Sequence, residues 1–310
     1  MPLADVRKAF SDVIDVGERH RLDCSRFQPA DLDVAHFQGM VRWGDYLVYS
    51  YANYRPTGIW DAPRGLLVVA SVPDKAVLSF VEVPGWDEDY THPGGMQLIG
   101  DVLVVPLETS NYEHSRILFY DVRAVIESPA SAQPLDDLTI ERPKTGTGAA
   151  GVTDWFDKER EQLYVFAAYD NGNFVLYTAP DTFFGPAHEP PEKHDRVTLP
   201  HDDYSSIQLL TDTGGQKWMI GFRGKNRGDN WADLYTFSAF TKPEPTLQSS
   251  RPFAYELGEA VMGGFRFAAG MHIEPEANEL TIYAGDRNPI FLADHLHYNR
   301  FKGSQGNIGP

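Results

Sequence analysis

The chain has 310 residues, 42% of them hydrophobic and 13% aromatic, so it is long enough to bury roughly 75% of the surface its unfolded form exposes. A formal charge of -17 and a pI near 4.9 exclude nucleic acid and anionic membrane as partners, because an acidic surface repels phosphate; small organic molecules, sugars and cations remain. Cys24 is the single cysteine, which excludes an internal disulfide and a Cys-based zinc or iron–sulfur centre.

The first sixteen residues, MPLADVRKAFSDVIDV, contain no apolar run of signal-peptide length, and no segment reaches about 18 consecutive apolar residues, so the chain reads as cytoplasmic. A strand candidate, VIDVGERHRLD at 13–23, precedes everything that repeats. Then comes a small-Gly-apolar step, Gln38-Gly39-Met40, which recurs at Gly94-Gly95-Met96, Ala149-Ala150-Gly151-Val152, Ser205-Ser206-Ile207 and Ala269-Gly270-Met271. The steps start at 38, 94, 150, 205 and 269, with separations of 56, 56, 55 and 64.

Each step is followed by a turn and a β-rich run: YLVYSY (46–51), VLVVPLE (102–108), QLYVFAAYD (162–170), KWMIGFR (217–223) and ELTIYAGD (279–286). Third runs follow as GLLVVASV (65–72), RILFYDV (116–122), NFVLYTA (173–179), ADLYTFSAF (232–240) and PIFLADHL (289–296). Fourth runs are AVLSFVEV (76–83), DLTIERP (137–143), RVTLP (196–200) and PFAYEL (252–257), and the fifth unit has none. GPAHEPPEKHD at 185–195 reads as a long connection inside the third unit.

Four strands per unit of about 40 to 60 residues is similar to the blades of a β-propeller. The resemblance implies an all-β, single-domain, five-bladed propeller with blades near 36–85, 86–143, 144–200, 201–257 and 258–303, the last closed by the N-terminal strand. Gly39, Gly95, Gly151 and Gly270 suit the crowded axis of such a ring. The competing arrangement is an irregular β sandwich, or two small β domains joined within 128–143.

In a propeller, the residues that open each innermost strand and those that end the second strand share one mouth of the central channel. The first set includes His36, His92 and Phe267, with Gln38 and Tyr204 adjacent; the second is Tyr51, Glu108, Asp170, Arg223 and Asp286. His36 and His92 occupy corresponding positions of neighbouring blades, and with Glu108 or His272 they form a candidate His/carboxylate set for one divalent metal, zinc, iron, manganese or calcium. Glu108, Asp170 and Asp286 are candidates for a carboxyl pair in which one group is protonated and the other ionised. Arg223 is a candidate anchor for an anionic substrate group, and Trp60, Trp86 and Tyr90 are candidate stacking surfaces in loops at the same mouth.

Five-bladed glycosidases resemble this architecture at the level of fold. Their opening-strand Asp and Arg-Asp-Pro step are missing here, and Asp286-Arg287-Asn288-Pro289 is an imperfect echo in a different blade. The leading expectation is a small-molecule enzyme of hydrolase, lyase or isomerase type working in the funnel; the alternative is a non-catalytic ligand-binding or scaffold propeller.

Overall fold

The computed structural model describes residues 2–25, 36–53, 64–135, 138–156, 162–186, 188–224, 229–254, 263–287 and 295–303. They form a five-bladed β-propeller. Blade 1 consists of His36–Trp43, Tyr46–Asn53, Arg64–Ser71 and Ala76–Val83, each antiparallel to the next. In blade 2 the innermost strand comes in two pieces, Tyr90–Pro93 and Gln97–Ile99, both on Val102–Thr109, followed by Ser115–Asp121 and Ile140–Arg142. Blade 3 is Ala149–Phe156, Gln162–Asp170, Asn173–Pro180 and Glu192–Thr198; blade 4 is Tyr204–Thr211, Lys217–Gly224, Asn230–Phe237 and Pro245–Pro252. Blade 5 runs from Gly263–Gly264 and Gly270–Glu274 through Glu279–Asp286 to His295–Lys302.

The N-terminal strand, Glu18–Asp23, supplies the fourth strand of blade 5, antiparallel to His295–Lys302 with Glu18 opposite Arg300 and Asp23 opposite His295. It covers an edge that would otherwise expose unpaired N–H and C=O groups. The same strand reaches blade 1 through Asp23, whose N–H donates to Lys75 O at 2.7 Å. Ahead of it, the short helix Val6–Asp12, capped by the Asp5 side chain, presses Val6, Ala9 and Phe10 between blades 4 and 5.

Two expected strands lie elsewhere. The fourth strand of blade 4 is Pro245–Pro252 and not 252–257, of which 255–257 fall outside the described residues. Its sequence, PTLQSSRP, is polar and bounded by prolines, as suits an outer edge that meets water, so hydropathy pointed to the apolar run after it. The third strand of blade 5 is His295–Lys302, whereas the expected run at 289–296 lies mostly outside the described residues. In blade 3 the fourth strand begins at Glu192, so part of the expected 185–195 connection is strand.

The core divides by blade interface. Val41, Val48 and Leu67 of blade 1 pack on Leu103, Val105 and Leu118 of blade 2. Val104 and Phe119 of blade 2 meet Val152 and Phe166 of blade 3, and Leu176 of blade 3 meets Leu209 and Met219 of blade 4. Ile220 and Leu234 meet Leu280 and Ile282 of blade 5, which closes on blade 1 through Tyr283 and Tyr49. Each such side chain contributes about 1.5–3 kcal/mol when fully buried.

At the axis the innermost strands touch. Gly95 N–H donates to Gly148 O at 2.9 Å, Ala150 N–H to Gly95 O at 2.8 Å, and Met40 N–H to Ala269 O at 3.1 Å. Gln97 of blade 2 crosses the channel: its Nε2 donates to Leu209 O at 2.8 Å, and its Oε1 accepts from Leu209 N and Val152 N, both at 2.8 Å. Gln208 of blade 4 crosses in return, donating to Met96 O at 2.8 Å. The channel is therefore closed at its waist, leaving an upper mouth where the innermost strands begin and a lower one where they end. Among the described residues, no helix is long and apolar enough to cross a membrane.

A Cβ added to Gly270 would lie 1.6 Å from Met40 O, and one on Gly94 would lie 2.1 Å from Gly148 O. Both obstacles are backbone of a neighbouring blade. Gly270→Ala and Gly94→Ala are each expected to cost on the order of 3 kcal/mol or more in urea unfolding. Gly148→Ala, where an added Cβ meets nothing within 4 Å, is the control and should stay within about 1 kcal/mol of the parent. Equal midpoints for all three would refute the touching-strand axis.

Candidate functional site

The upper mouth brings together His36, Gln38, His92, Glu108, Asp170 and Phe267 of the residues expected there. His36 and Gln38 lie on the innermost strand of blade 1, and His92 on the first piece of its counterpart in blade 2, so the blade repeat sets the imidazoles side by side with ring centroids 5.8 Å apart. The Gln38 amide lies between them. Its Nε2 is hydrogen-bonded to His36 Nε2 and lies 2.7 Å from His92 Nε2. An amide NH2 has two hydrogens to donate, so both imidazoles can accept at Nε2 and carry their proton on Nδ1.

The Nδ1 of His92 lies 3.1 Å from Glu108 Oε2, and Glu108, opposite His92 across the strand pair, is only 2% exposed. The Tyr112 ring leans edge-on over His92 at 5.5 Å, from a hairpin residue with φ of 60°. On the other side, the Phe267 ring stands edge-on to His36 at 5.9 Å, with Arg266 and Arg287 over its faces at 5.4 and 5.8 Å.

Asp170, at the end of the second strand of blade 3, approaches Glu108 from the neighbouring blade. Gly146 borders both carboxyl groups: a Cβ there would be 2.6 Å from Glu108 Oε1 and 3.3 Å from Asp170 Cγ. Its N–H donates to Asp170. Burial, and next the Glu108 charge, raise the proton affinity of Asp170 above that of an ordinary aspartate, against the opposing pull of Arg142 and Arg196. Gly146 was not singled out by sequence; within KTGTGAAG, only the fold distinguishes the glycine that borders two acids.

Other expected site residues are placed elsewhere. Tyr51 is core, its ring 4.9 Å from Phe37, because the pleat turns it into the interface between blades 5 and 1. Tyr204 is interior as well, its hydroxyl donating to Asp233 Oδ2 at 2.8 Å beside Tyr235 Oη at 2.8 Å. Arg223 gives Nε to the same Asp233 Oδ2 at 2.7 Å and stacks over Trp231 at 5.3 Å, so its charge is neutralised by an aspartate with no exposed surface. That partner, ten residues downstream on the facing strand, was missed because Asp233 reads as an ordinary break in an apolar run.

Asp286 turns to its own blade's third strand, accepting from His297 N at 2.8 Å with His297 Nδ1 3.3 Å away, and does not join Glu108 and Asp170. Trp86 and Tyr90 lie at the rim under guanidinium groups, Arg64 at 4.9 Å and Arg116 at 4.1 Å, which leaves Tyr90 buried. Trp60 lies outside the described residues. His272 is three residues past the level where Ala269 bridges Gly39, on the strand heading to the lower mouth, and its Nε2 is 2.9 Å from Glu274 Oε1. It cannot share a metal with His36 and His92, whose Nε2 atoms both face Gln38. Among the described residues no three His, Cys, Asp or Glu side chains come together as a metal-ligand group.

No protein-family model matches this chain, and no curated protein matches it. Among solved structures, the catalytic domain of a GH62 α-L-arabinofuranosidase from Coprinopsis cinerea is similar over 92% of this chain and 97% of its own, with a TM-score of 0.51 and 10% identity. A GH32 β-fructofuranosidase from Bombyx mori is similar over 94% of this chain and 64% of its own, with a TM-score of 0.49 and 11% identity. For an exo-β-1,3-galactanase from Phanerochaete chrysosporium the coverages are 85% and 59%, the TM-score 0.47 and the identity 8%. This chain thus spans about six tenths of the latter two proteins. The likeness is one of fold, the five-bladed propeller.

A raised carboxyl pKa has a definite sign in stability. Between the ordinary aspartate value and the raised one, the folded chain holds a proton at Asp170 that the unfolded chain has released, so stability falls as pH rises through that window and stays lower above it. Asp170→Asn removes the ionisation. The variant should be more stable than the parent at neutral pH, with the difference vanishing at pH below the ordinary aspartate value. A variant less stable than the parent at neutral pH in thermal unfolding would contradict the environment described for Asp170.

Proposed function

We propose that this protein is a hydrolase that cleaves a glycosidic bond of a small sugar substrate in the upper funnel, with Asp170 as proton donor and Glu108 as its ionised partner. The observation that carries this reading is the carboxyl pair closing on Gly146 from neighbouring blades, one member with raised proton affinity. Glycoside cleavage asks for that asymmetry: one acid to protonate the leaving oxygen and one carboxylate to face the positive charge at the anomeric carbon. The fold supports the reading by analogy only, since the Coprinopsis cinerea protein named above is an α-L-arabinofuranosidase catalytic domain.

In the proposed reaction, the Asp170 carboxyl gives its proton to the glycosidic oxygen as the bond from that oxygen to the anomeric carbon breaks. Glu108, whose carboxyl group borders Gly146 together with that of Asp170, attacks the anomeric carbon as the leaving oxygen departs and forms a glycosyl ester. The Asp170 carboxylate then takes a proton from water as the water oxygen displaces Glu108 from the anomeric carbon, which restores the protonated Asp170 and the free Glu108 carboxylate. His92, with Nδ1 toward Glu108 and Nε2 held by Gln38, fixes the position of the carboxylate, and His36 holds the other side of the Gln38 amide. The histidines are positioning groups in this scheme. No step needs a metal.

A survey of aryl glycosides should find a substrate that the parent hydrolyses. On it, Glu108→Gln and Asp170→Asn should each lower kcat/KM by about 10²–10⁴ with the circular dichroism spectrum unchanged. Because the donor must be protonated, parent activity should fall as pH rises through the raised Asp170 pKa. Azide should restore turnover of Glu108→Gly or Asp170→Gly. Full activity in both amide variants would overturn the assignment, and saturable sugar binding without turnover by the parent would leave a binding propeller in its place.

A further inference from the structure

A cleft of about 350 Å³ opens between the outer strands of blades 2 and 3, and neither the carboxyl pair nor the two histidines beside it line it. Its wall is a hydrogen-bonded cluster. Arg142, from the last strand of blade 2, donates from Nη1 to Tyr177 Oη at 3.0 Å, and from Nη2 to Gly146 O at 3.2 Å and Thr145 Oγ1 at 3.5 Å. Arg142, Tyr177 and Thr145 all line the cleft. Every one of these acceptors is neutral. The guanidinium is buried, and no carboxylate is in ion-pair contact with it among the described residues. A cation taken out of water without a counter-ion is costly, so the space beside it favours an anion.

Two further groups point the same way. Lys193, directly opposite Tyr177 on the fourth strand of blade 3, lines the cleft, is exposed, and forms no ion pair among the described residues. The Tyr177 hydroxyl oxygen accepts from Arg142, which leaves its own hydrogen to give, and no described residue accepts it. The carboxylate in the lining, Glu141, is turned to the Arg116 guanidinium at 2.9 Å. Two cations and a hydroxyl donor, with that carboxylate committed elsewhere, make a positive cleft on a chain of net charge -17, whose surface otherwise repels anions. Two positive charges match a dianion better than a singly charged carboxylate, and Lys and Arg are the residues that hold phosphate. The volume, at the lower end of the ordinary range for small-molecule pockets, takes such an anion together with a small organic group attached to it.

We propose that this cleft is an oxyanion site, which binds a phosphate or sulfate dianion, free or carried by a small molecule, between Lys193 and the hydrogen-bonded Arg142 and Tyr177. The site stands whether or not the upper funnel is hydrolytic. The experiment is isothermal titration calorimetry of the full chain at constant ionic strength and about pH 8, where phosphate is mostly the dianion. The probes are inorganic phosphate, sulfate, D-galactose 6-phosphate and, as a singly charged anion, acetate. At least one of the three dianions should bind saturably, one per chain, and more tightly than acetate. Binding of the inorganic ions assigns the site to the free oxyanion, and binding of D-galactose 6-phosphate alone assigns it to the ester. Arg142→Gln, Tyr177→Phe and Lys193→Glu should each weaken binding at least about tenfold. Lys193→Glu, at an exposed position, covers the case in which the buried substitutions fail to fold. Asp170→Asn should not weaken binding. No saturable binding of any dianion would overturn the proposal, as would acetate binding as tightly or an unchanged affinity in Lys193→Glu. Loss of binding in Asp170→Asn would place the anion in the upper funnel and overturn it equally.

Discussion

Five innermost strands converging on one axis leave no room for side chains where they touch, and most of the molecule follows from that crowding. Gly270 and Gly94 let backbone meet backbone across blade boundaries, with inter-blade N–H to C=O contacts of 2.8 to 3.1 Å in place of side-chain packing. The polar groups of strands pressed together in this way must still be satisfied. Ser50 does so between blades 1 and 2, accepting from Gly39 N at 2.8 Å and donating to Gly94 O at 2.7 Å. Gln97 does so across the centre, replacing a missing backbone partner with a side-chain amide. Outside this hub the blades are held by separate apolar clusters, one to each interface, and the N-terminal strand ties the last blade to the start of the chain.

A channel closed at its waist makes two blind mouths, and a blind mouth buries what lines it. Glu108 is almost inaccessible though it sits at the end of a strand, and the partial burial of Asp170 itself, followed by the Glu108 charge, raises the proton affinity of Asp170. Two carboxylates so placed cannot both stay charged without cost. The tuning of Asp170 is thus a product of the fold's geometry: blade 2 supplies the charge, blade 3 supplies the responding group, and the missing Cβ of Gly146 leaves room for both.

The repeat was legible because turns and apolar runs are local and recur at an even spacing, and the second strands of all five blades lie where their hydropathy puts them. Outer strands were less legible where they face water, as PTLQSSRP does, since a polar edge strand carries no apolar run to find. Of the site, the pairing of His36 with His92 and the meeting of Glu108 with Asp170 followed from equivalent positions in adjacent blades. Equivalent position does not fix direction. Tyr51, Arg223 and Asp286 occupy the matching strand ends, yet one turns into the core, one toward Asp233 and one toward His297, because each answers to a partner on a different strand of its own neighbourhood. Such partners lie ten or more residues away and leave no spacing rule in the sequence.

Those partners also explain why one carboxyl differs from the rest. Glu108 has the His92 ring at 3.1 Å, Asp233 has the Arg223 guanidinium at 2.7 Å, and Asp286 has the His297 ring at 3.3 Å together with a backbone N–H. Each buried acid thus faces a group that can carry the opposite charge. Asp170 has Asn171 Nδ2 at 2.7 Å and the Gly146 N–H, both neutral donors, and no cation in salt-bridge contact among the described residues. Its nearest charge of consequence is another carboxylate. Neutral donors stabilise an anion less than a cation does, in keeping with the raised proton affinity of Asp170. What sets Asp170 apart from the other buried carboxyl groups is therefore that its blade places no histidine or arginine in contact with it among the described residues, whereas blade 2 places His92 beside Glu108.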